Sequence, residues 1–165
     1  MDAFPRSGWS VWFRQARSRQ RAPRRVPGRD LPLVTLFVDT SALYALLDRD
    51  DPNHQSARAF WSNLSEDEMP VTHNYVLLET CALIQRQLGI EALQSLVDEV
   101  LQPISTMFVD EELHRTAVAT VLAARRREVS LVDRVSFEVM RRLSVATAFA
   151  FDAHFAEFGF QALPS

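Results

Sequence analysis

Residues 33–47 read LVTLFVDTSALYALL, a short apolar run that ends in an acid and continues into a second apolar stretch. The first six residues are apolar or β-branched, as expected for a strand covered on both faces in a parallel sheet. Asp39, Thr40 and Ser41 then supply polar caps for a helix that begins near Ala42. The stretch therefore predicts a buried strand, a turn at an acid and a helix, which together form the repeating unit of α/β proteins.

The same alternation of strand and helix continues through the rest of the chain. Further strands are predicted at residues 70–72, 104–109 and 148–151, with residues 160–163 as an edge strand. Helical patterns separate them at residues 55–64, 75–88, 90–101, 111–127 and 135–143. We therefore predict an α/β fold, a three-layer sandwich with a central parallel sheet.

Length and composition fit one domain. The chain has 165 residues, of which 47% are hydrophobic, enough apolar surface for a single core. No apolar stretch approaches the roughly 20 residues that a membrane-spanning helix needs. The single cysteine, Cys81, forms no internal disulfide, so a reducing compartment is compatible. We expect a cytoplasmic protein with no membrane contact.

Residues 1–32 differ in composition from the remainder. They contain eight arginines and only two acids, without a sustained apolar period. We predict a disordered, Arg-rich extension ahead of a folded domain at residues 33–165. A basic arm that touches nucleic acid and a targeting segment are the alternatives. The domain itself is acidic, which argues against broad electrostatic binding of nucleic acid.

Four acids lie at comparable boundaries. Asp39 and Asp152 each end a predicted strand, and the carboxyl ends of parallel strands meet at one edge of a sheet. Glu79 lies beside the apolar face of a helix, where an unpaired acid costs several kcal/mol. A salt bridge to Arg86 or an edge position is the alternative for Glu79, and a plain N-cap is the alternative for Asp133. We predict that the four acids converge.

Converging carboxylates repel one another, which raises their pKa values unless a cation neutralises them. Oxygen ligands select hard ions such as Mg²⁺ or Mn²⁺ over zinc. Such ions activate water and stabilise the charge that develops on a phosphoryl group. We therefore predict hydrolysis of a phosphodiester at a metal site made by Asp39, Glu79, Asp133 and Asp152.

Four ordered segments of the chain resemble the motifs of the PIN domain family. Within that family, they are similar to the VapC-type toxins of bacterial toxin–antitoxin pairs. The segments read VDTSALYALLD at residues 38–48, NYVLLET at 74–80, LVDRVSFEVM at 131–140 and FDAHF at 151–155, the last closing in Gly159 and Phe160. The resemblance covers about residues 34–164.

The resemblance implies an endoribonuclease that depends on Mg²⁺ or Mn²⁺ and cuts structured or messenger RNA. It makes Asp39 and Asp133 the principal metal ligands and lets Glu79 and Asp152 complete the site. Neighbouring polar positions that would orient water or the acids are Thr40, Ser41, Asn74 and Ser136. The resemblance also implies a homodimer and a cognate antitoxin that inserts a segment into the acidic groove.

Arg134 departs from the family pattern, in which a small residue is expected directly after the third acid. Its charge would either compete for the carboxylates or bind a substrate phosphate. Two other functions fit the same motifs: a PIN-fold binding module without nuclease activity, and a metal-dependent nuclease that acts on DNA or in RNA maturation.

Overall fold

A five-stranded parallel sheet forms the centre of the molecule, in a computed structural model that describes residues 36–65, 68–125 and 128–164. The strands are β1 (Leu36–Val38), β2 (Pro70–His73), β3 (Ser105–Met107), β4 (Thr147–Phe149) and β5 (Gln161–Leu163). Their order is β3-β2-β1-β4-β5, and every neighbouring pair is parallel. Helices flank this sheet, so the predicted α/β sandwich with a central parallel sheet is confirmed.

The predicted Arg-rich extension at residues 1–32 lies outside the described residues. Residues 33–35, the beginning of the predicted first strand, lie outside them as well. The division into an extension and a domain therefore stays a prediction.

The helices follow the predicted alternation with shifted boundaries. They are α1 (Thr40–Leu47), α2 (His54–Ser62), α3 (Asn74–Gln87), α4 (Ile90–Ser95), α5 (Glu111–Ala124), α6 (Leu131–Leu143) and α7 (His154–Glu157). A π-helical turn, Leu96–Val100, replaces the second half of the helix predicted from residue 90 to 101. Helix α6 begins four residues earlier than predicted because Ser130 caps it. Within the described part of the chain, no helix has the length and apolar character to cross a membrane.

A group of aromatic side chains packs the elements that carry the acids. Phe155 of α7 is fully buried, with its ring centroid 6.1 Å from that of Phe37 in β1 and 5.2 Å from that of Phe137 in α6. Such close ring pairs add to the free energy gained from burying their apolar area. The core thus joins the strand that precedes Asp39, the helix that holds Asp133 and the segment that follows Asp152.

Candidate active site

Asp39 follows the central strand directly and caps helix α1. Its Oδ2 accepts hydrogen bonds from the backbone N–H of Ser41, at 2.9 Å, and from the Ser41 hydroxyl, at 2.6 Å. The same hydroxyl accepts the backbone N–H of Phe151 at 3.0 Å. Ser41 therefore fixes the Asp39 carboxylate to the chain that leads from β4 to Asp152.

Glu79 lies on α3, and a threonine pair connects it to α1. The Thr40 hydroxyl donates to Glu79 Oε2 at 2.7 Å and accepts a hydrogen bond from the Thr80 hydroxyl at 3.2 Å. Thr40 and Thr80 are buried, whereas Glu79 is exposed. Glu79 therefore lies at the exposed edge of the apolar helix face, which was one of the alternatives considered from the sequence. Within the described residues it does not form the other alternative, a salt bridge to Arg86.

Asp133 belongs to the first turn of α6 rather than capping it. Its Oδ2 accepts the backbone N–H of Ser130 at 2.7 Å, and the Ser130 hydroxyl accepts the backbone N–H of Asp133 at 3.1 Å. This reciprocal capping box holds the side chain at the helix terminus. The plain N-cap is therefore wrong for Asp133, because Ser130 occupies that position.

Asp152 lies three residues beyond the end of β4. Its Oδ1 accepts the backbone N–H of His154 at 2.9 Å, a local turn that orients the carboxylate. Carboxylate oxygens of Asp133 and Asp152 lie, together with a ring nitrogen of His154, within 4.8 Å of one another. These three residues form the closest group of possible metal ligands in the described chain.

The four predicted acids line one cleft of about 580 Å³ at the carboxyl edge of the sheet. Thr40, Ser41 and Ser130 also line the cleft, and among the described residues Arg86 provides its one cationic side chain. The cleft lies where β1 is flanked by β2 on one side and β4 on the other, the usual ligand position in an open parallel sheet. The structure thus brings together acids that are up to 113 positions apart, from Asp39 to Asp152.

The cleft raises the cost of ionising its most buried acid. Asp39 is 5% exposed, and burial raises its pKa to about 6, an effect that the hydrogen bonds from Ser41 partly offset. The negative charge of Asp133 contributes to this rise. A cation in the cleft would remove both penalties, because it replaces lost hydration and separates the like charges.

The donor set of the cleft suits a hard divalent ion. Asp39, Asp133 and Asp152 offer carboxylate oxygens, which Mg²⁺ and Mn²⁺ prefer. Each of these carboxylates has one oxygen held by a local hydrogen bond, so its orientation is fixed before an ion binds. The residues present therefore fit the predicted metal.

Comparison with known proteins agrees with this geometry. The family model of the PIN domain matches residues 36–161, more than three quarters of the chain. The chain belongs to the PIN domain family. PIN domains are metal-dependent nucleases, and the predicted enzyme class is confirmed.

The sequence and the crystal structure of one relative locate the chain within the PIN family. The 23S rRNA-specific endonuclease VapC20 of Mycobacterium tuberculosis is 34% identical over 126 residues, which cover 76% of this chain and 95% of VapC20. The crystal structure of that protein, described as a sarcin-ricin loop cleaving toxin, matches with a TM-score of 0.69 and 31% identity over 76% of this chain and 96% of VapC20. The predicted likeness to VapC-type toxins is confirmed.

The likeness to a second solved structure is evidence for the fold only. FitAcB from Neisseria gonorrhoeae matches with a TM-score of 0.59 at 14% identity, over 79% of this chain and 97% of that chain. The same fold thus accommodates very different sequences.

The four predicted supporting polar residues of this PIN domain fall into two groups. Thr40 and Ser41 line the cleft, whereas Asn74 and Ser136 are not among its lining residues. The Asn74 side chain accepts the backbone N–H of Val109 at 2.8 Å, which fixes the chain beyond β3 to the start of α3. Ser136 is fully buried, and its hydroxyl contacts Nε2 of His73 at 2.9 Å. We infer that these two residues act on the site through the helices that they hold.

His73 is the residue that links the helices carrying Glu79 and Asp133. It is fully buried, and its Nδ1 accepts the backbone N–H groups of Tyr75, at 3.2 Å, and Val76, at 3.3 Å. Because Nδ1 accepts, Nε2 carries the proton and donates to Ser136, whose hydroxyl donates in turn to Val132 O. Burial lowers the pKa of His73 to about 4, so the imidazole is neutral.

Two arginines near the site differ from the sequence-based prediction. The guanidinium of Arg134 lies over the ring of Phe158, 4.5 Å from its centroid, and Arg134 is not among the residues that line the cleft. Arg86, which entered the prediction only as a salt-bridge partner of Glu79, lines the cleft instead. The position of Arg86 could have been predicted from its spacing to Glu79, because residues 79, 82, 83 and 86 share one helix face.

Proposed function

We propose that this chain is the toxin component of a type II toxin–antitoxin pair, an endoribonuclease that hydrolyses RNA phosphodiesters with Mg²⁺ or Mn²⁺. The observation that carries the proposal is the cleft itself, which gathers Asp39, Glu79, Asp133 and Asp152. The likeness to VapC20, named for its action on 23S rRNA, supports RNA as the substrate class. A structured rRNA hairpin is therefore the first substrate to test.

The side chains of the cleft have separable roles. Asp39 and Asp133 hold the metal, in positions fixed by Ser41 and Ser130. Glu79, oriented by Thr40, lies at the exposed side of the cleft and orients the attacking water by accepting its hydrogen bond. Asp152, which follows the neighbouring parallel strand β4, completes the donor set. Bound Mg²⁺ or Mn²⁺ would supply Lewis-acid stabilisation of the charge on the phosphoryl oxygens.

Arg86 offers the positive charge that an acidic cleft needs in order to admit a polyanion. It lies on the same face of α3 as Glu79, seven residues along the chain and about 10 Å along the helix axis. Arg86 is exposed, and within the described residues it forms no salt bridge to Glu79, so its guanidinium is available. We propose that it binds a phosphate that neighbours the scissile one.

The Arg86→Gln variant is expected to weaken RNA binding without unfolding the protein. In an Asp39→Asn background, which prevents cleavage, the Kd for the hairpin should rise about tenfold. The slope of log K against log salt should become shallower by about 0.7 to 0.9, as expected for one lost phosphate contact. Filter binding at several salt concentrations measures both quantities.

The matched control is Arg115→Gln, which removes an exposed arginine that pairs with Glu111 on α5. It should leave the Kd and the salt slope unchanged. Equal effects of the two variants would mean that net charge, not a contact in the cleft, sets the affinity.

Metal removal tests the proposed reaction directly. The purified protein, freed of metal with a chelator, should not cleave the hairpin, and Mg²⁺ or Mn²⁺ should restore cleavage while Ca²⁺ restores little. Electrophoresis of end-labelled RNA measures the rate. Cleavage in excess chelator would contradict the proposal. Cleavage of DNA but not RNA would favour the DNA nuclease, and no cleavage with either metal would favour the binding module.

The partners are proposed on the resemblance to VapC-type toxins: a cognate antitoxin that inserts a segment into the cleft, and a second copy of this chain. Exposed apolar residues supply candidate contact area, among them Leu78, Phe108 and Leu122, each at least 70% exposed. Sedimentation velocity tests the homodimer, and a monomer at all accessible concentrations would contradict it.

A further inference from the structure

His154 is a chemically distinct group at the edge of the acidic site. It is the first residue of α7, two positions after Asp152, and its side chain is 23% exposed. Its ring nitrogen lies within 4.8 Å of carboxylate oxygens from both Asp133 and Asp152. The four carboxylates account for the predicted metal site without it, so its position calls for a separate explanation.

The contacts of His154 leave one ring nitrogen unsatisfied. Nδ1 is buried and lies 2.9 Å from Asp152 Oδ1, but within the described residues it has no partner with hydrogen-bond geometry. The Asp152 oxygen already accepts the backbone N–H of His154. A ring nitrogen held this close to a carboxylate oxygen is stabilised when a cation bridges the two atoms.

We propose that His154 is a nitrogen ligand of the divalent metal ion, which it shares with Asp133 and Asp152. The inference rests on the proposed function, since it concerns the same ion. An imidazole ligand changes the selectivity of an otherwise all-oxygen site. Mg²⁺ binds oxygen almost exclusively, whereas Mn²⁺ also accepts imidazole and follows the general order of transition-metal affinity. His154 should therefore make the site prefer Mn²⁺ to Mg²⁺.

Pulsed electron paramagnetic resonance of the Mn²⁺-loaded full chain tests this ligand without reference to activity. The echo envelope should show modulation from a directly bound ¹⁴N nucleus, and growth with ¹⁵N-histidine should change that modulation. The His154→Gln variant should lose it. By calorimetry, the same variant should bind Mn²⁺ about tenfold more weakly, with a smaller change for Mg²⁺.

The matched control is Glu157→Gln, an exposed position on the same short helix. It should keep both the nitrogen modulation and the Mn²⁺ affinity. The isotope experiment uses the unmutated protein, so it remains decisive if His154→Gln fails to fold.

The outcomes separate this inference from the proposed function. Mn²⁺ that binds the unmutated protein without nitrogen modulation would overturn the inference, leave the metal-dependent nuclease intact and make His154 an ion-pair partner of Asp152. Absence of Mn²⁺ binding would overturn the inference, and if calorimetry shows that Mg²⁺ does not bind either, the proposed function fails with it. Modulation that persists in His154→Gln would assign the nitrogen to another residue and would equally overturn the inference.

Discussion

Asp39→Asn should reduce RNA cleavage at least about a hundredfold, the scale on which single electrostatic groups contribute to catalysis. Asn keeps the shape of the side chain and can still accept the hydrogen bonds from Ser41, but it removes the negative charge that holds the metal. Single-turnover rates with saturating Mn²⁺ measure the effect. The change should appear in the rate of cleavage and not in RNA affinity.

The same substitution should stabilise the metal-free protein. Burial raises the Asp39 pKa from 3.8 to about 6, so the folded protein holds a proton between these pH values that the unfolded chain has released. The free energy of unfolding therefore falls as pH rises through this window. At pH 7.5, Asp39→Asn should add on the order of 2 kcal/mol, measured by urea unfolding in the presence of a chelator.

The effect of Mn²⁺ on the Tm tests the role of Asp39 in metal binding. Mn²⁺ should raise the Tm of the unmutated protein by binding only the folded state, and it should have little effect on Asp39→Asn. The control is Asp50→Asn, an exposed acid in the loop after α1. It should leave the cleavage rate, the stability and the Mn²⁺ response unchanged. A destabilised Asp39→Asn that still cleaves would contradict the role assigned to Asp39.

His73 should also have a large effect on the free energy of unfolding, with a pH dependence opposite to that of Asp39. Its pKa is lowered from 6.5 to about 4 by burial, so the unfolded chain binds a proton between these values and the folded protein does not. The free energy of unfolding should rise with pH across this window, by about 3 kcal/mol in total. In the unmutated protein the falling contribution of Asp39 offsets most of this rise, and Asp39→Asn should expose it.

His73→Asn tests that contribution. Asn caps helices well, so it can replace Nδ1 as the acceptor at the start of α3, but it is too short to reach Ser136 and does not titrate. In the Asp39→Asn background, adding His73→Asn should flatten the dependence of stability on pH between about 4.5 and 6.5. It should also cost about 1–3 kcal/mol at pH 7.5, because a buried hydrogen bond is lost.

The control for His73 is Ser136→Ala, which breaks the same hydrogen bond and keeps the imidazole. It should lower stability while leaving the rise with pH in place. A steep rise that persists in the Asp39→Asn/His73→Asn double variant would assign the proton to another group.

The sequence predicted the sheet and the acids for a shared physical reason. Buried parallel strands are short and apolar, so a charged residue marks where each one ends, as Asp39 shows after β1. Because the carboxyl ends of such strands share an edge, distance along the chain does not prevent convergence. Glu79 and Asp133 lie on helices and follow no strand directly. Glu79 was selected as an acid beside an apolar helix face and Asp133 as an acid near a predicted helix start, and the family motifs agreed with both.

Helix boundaries and the surroundings of the acids were harder to predict. The start of α6 depends on a reciprocal pair, Ser130 with Asp133, and the sequence alone did not separate this capping box from a cap at Asp133 itself. Ser136 was predicted to be one of the polar residues that support the site. Its burial against His73 depends on the packing of two residues that are 63 positions apart. Local patterns contain no information about such contacts.

The contacts of the two arginines near the site were also not predicted from local sequence patterns. Arg134 follows the third acid in sequence, yet its guanidinium lies over the Phe158 ring and does not line the cleft. Arg86 is distant from every motif but shares a helix face with Glu79 and reaches the cleft. For Arg134, proximity to Asp133 in the sequence was a misleading guide to its contacts. For Arg86, helical periodicity would have indicated that it shares a face with Glu79.

Crystals of the protein soaked in Mn²⁺, measured for anomalous scattering, test the central claim most directly. The account predicts a peak in the cleft within bonding distance of carboxylate oxygens from Asp39 and Asp133, absent from Asp39→Asn crystals treated in the same way. A Mn²⁺ ion bound elsewhere, in a protein that cleaves RNA only when Mn²⁺ is present, would contradict it.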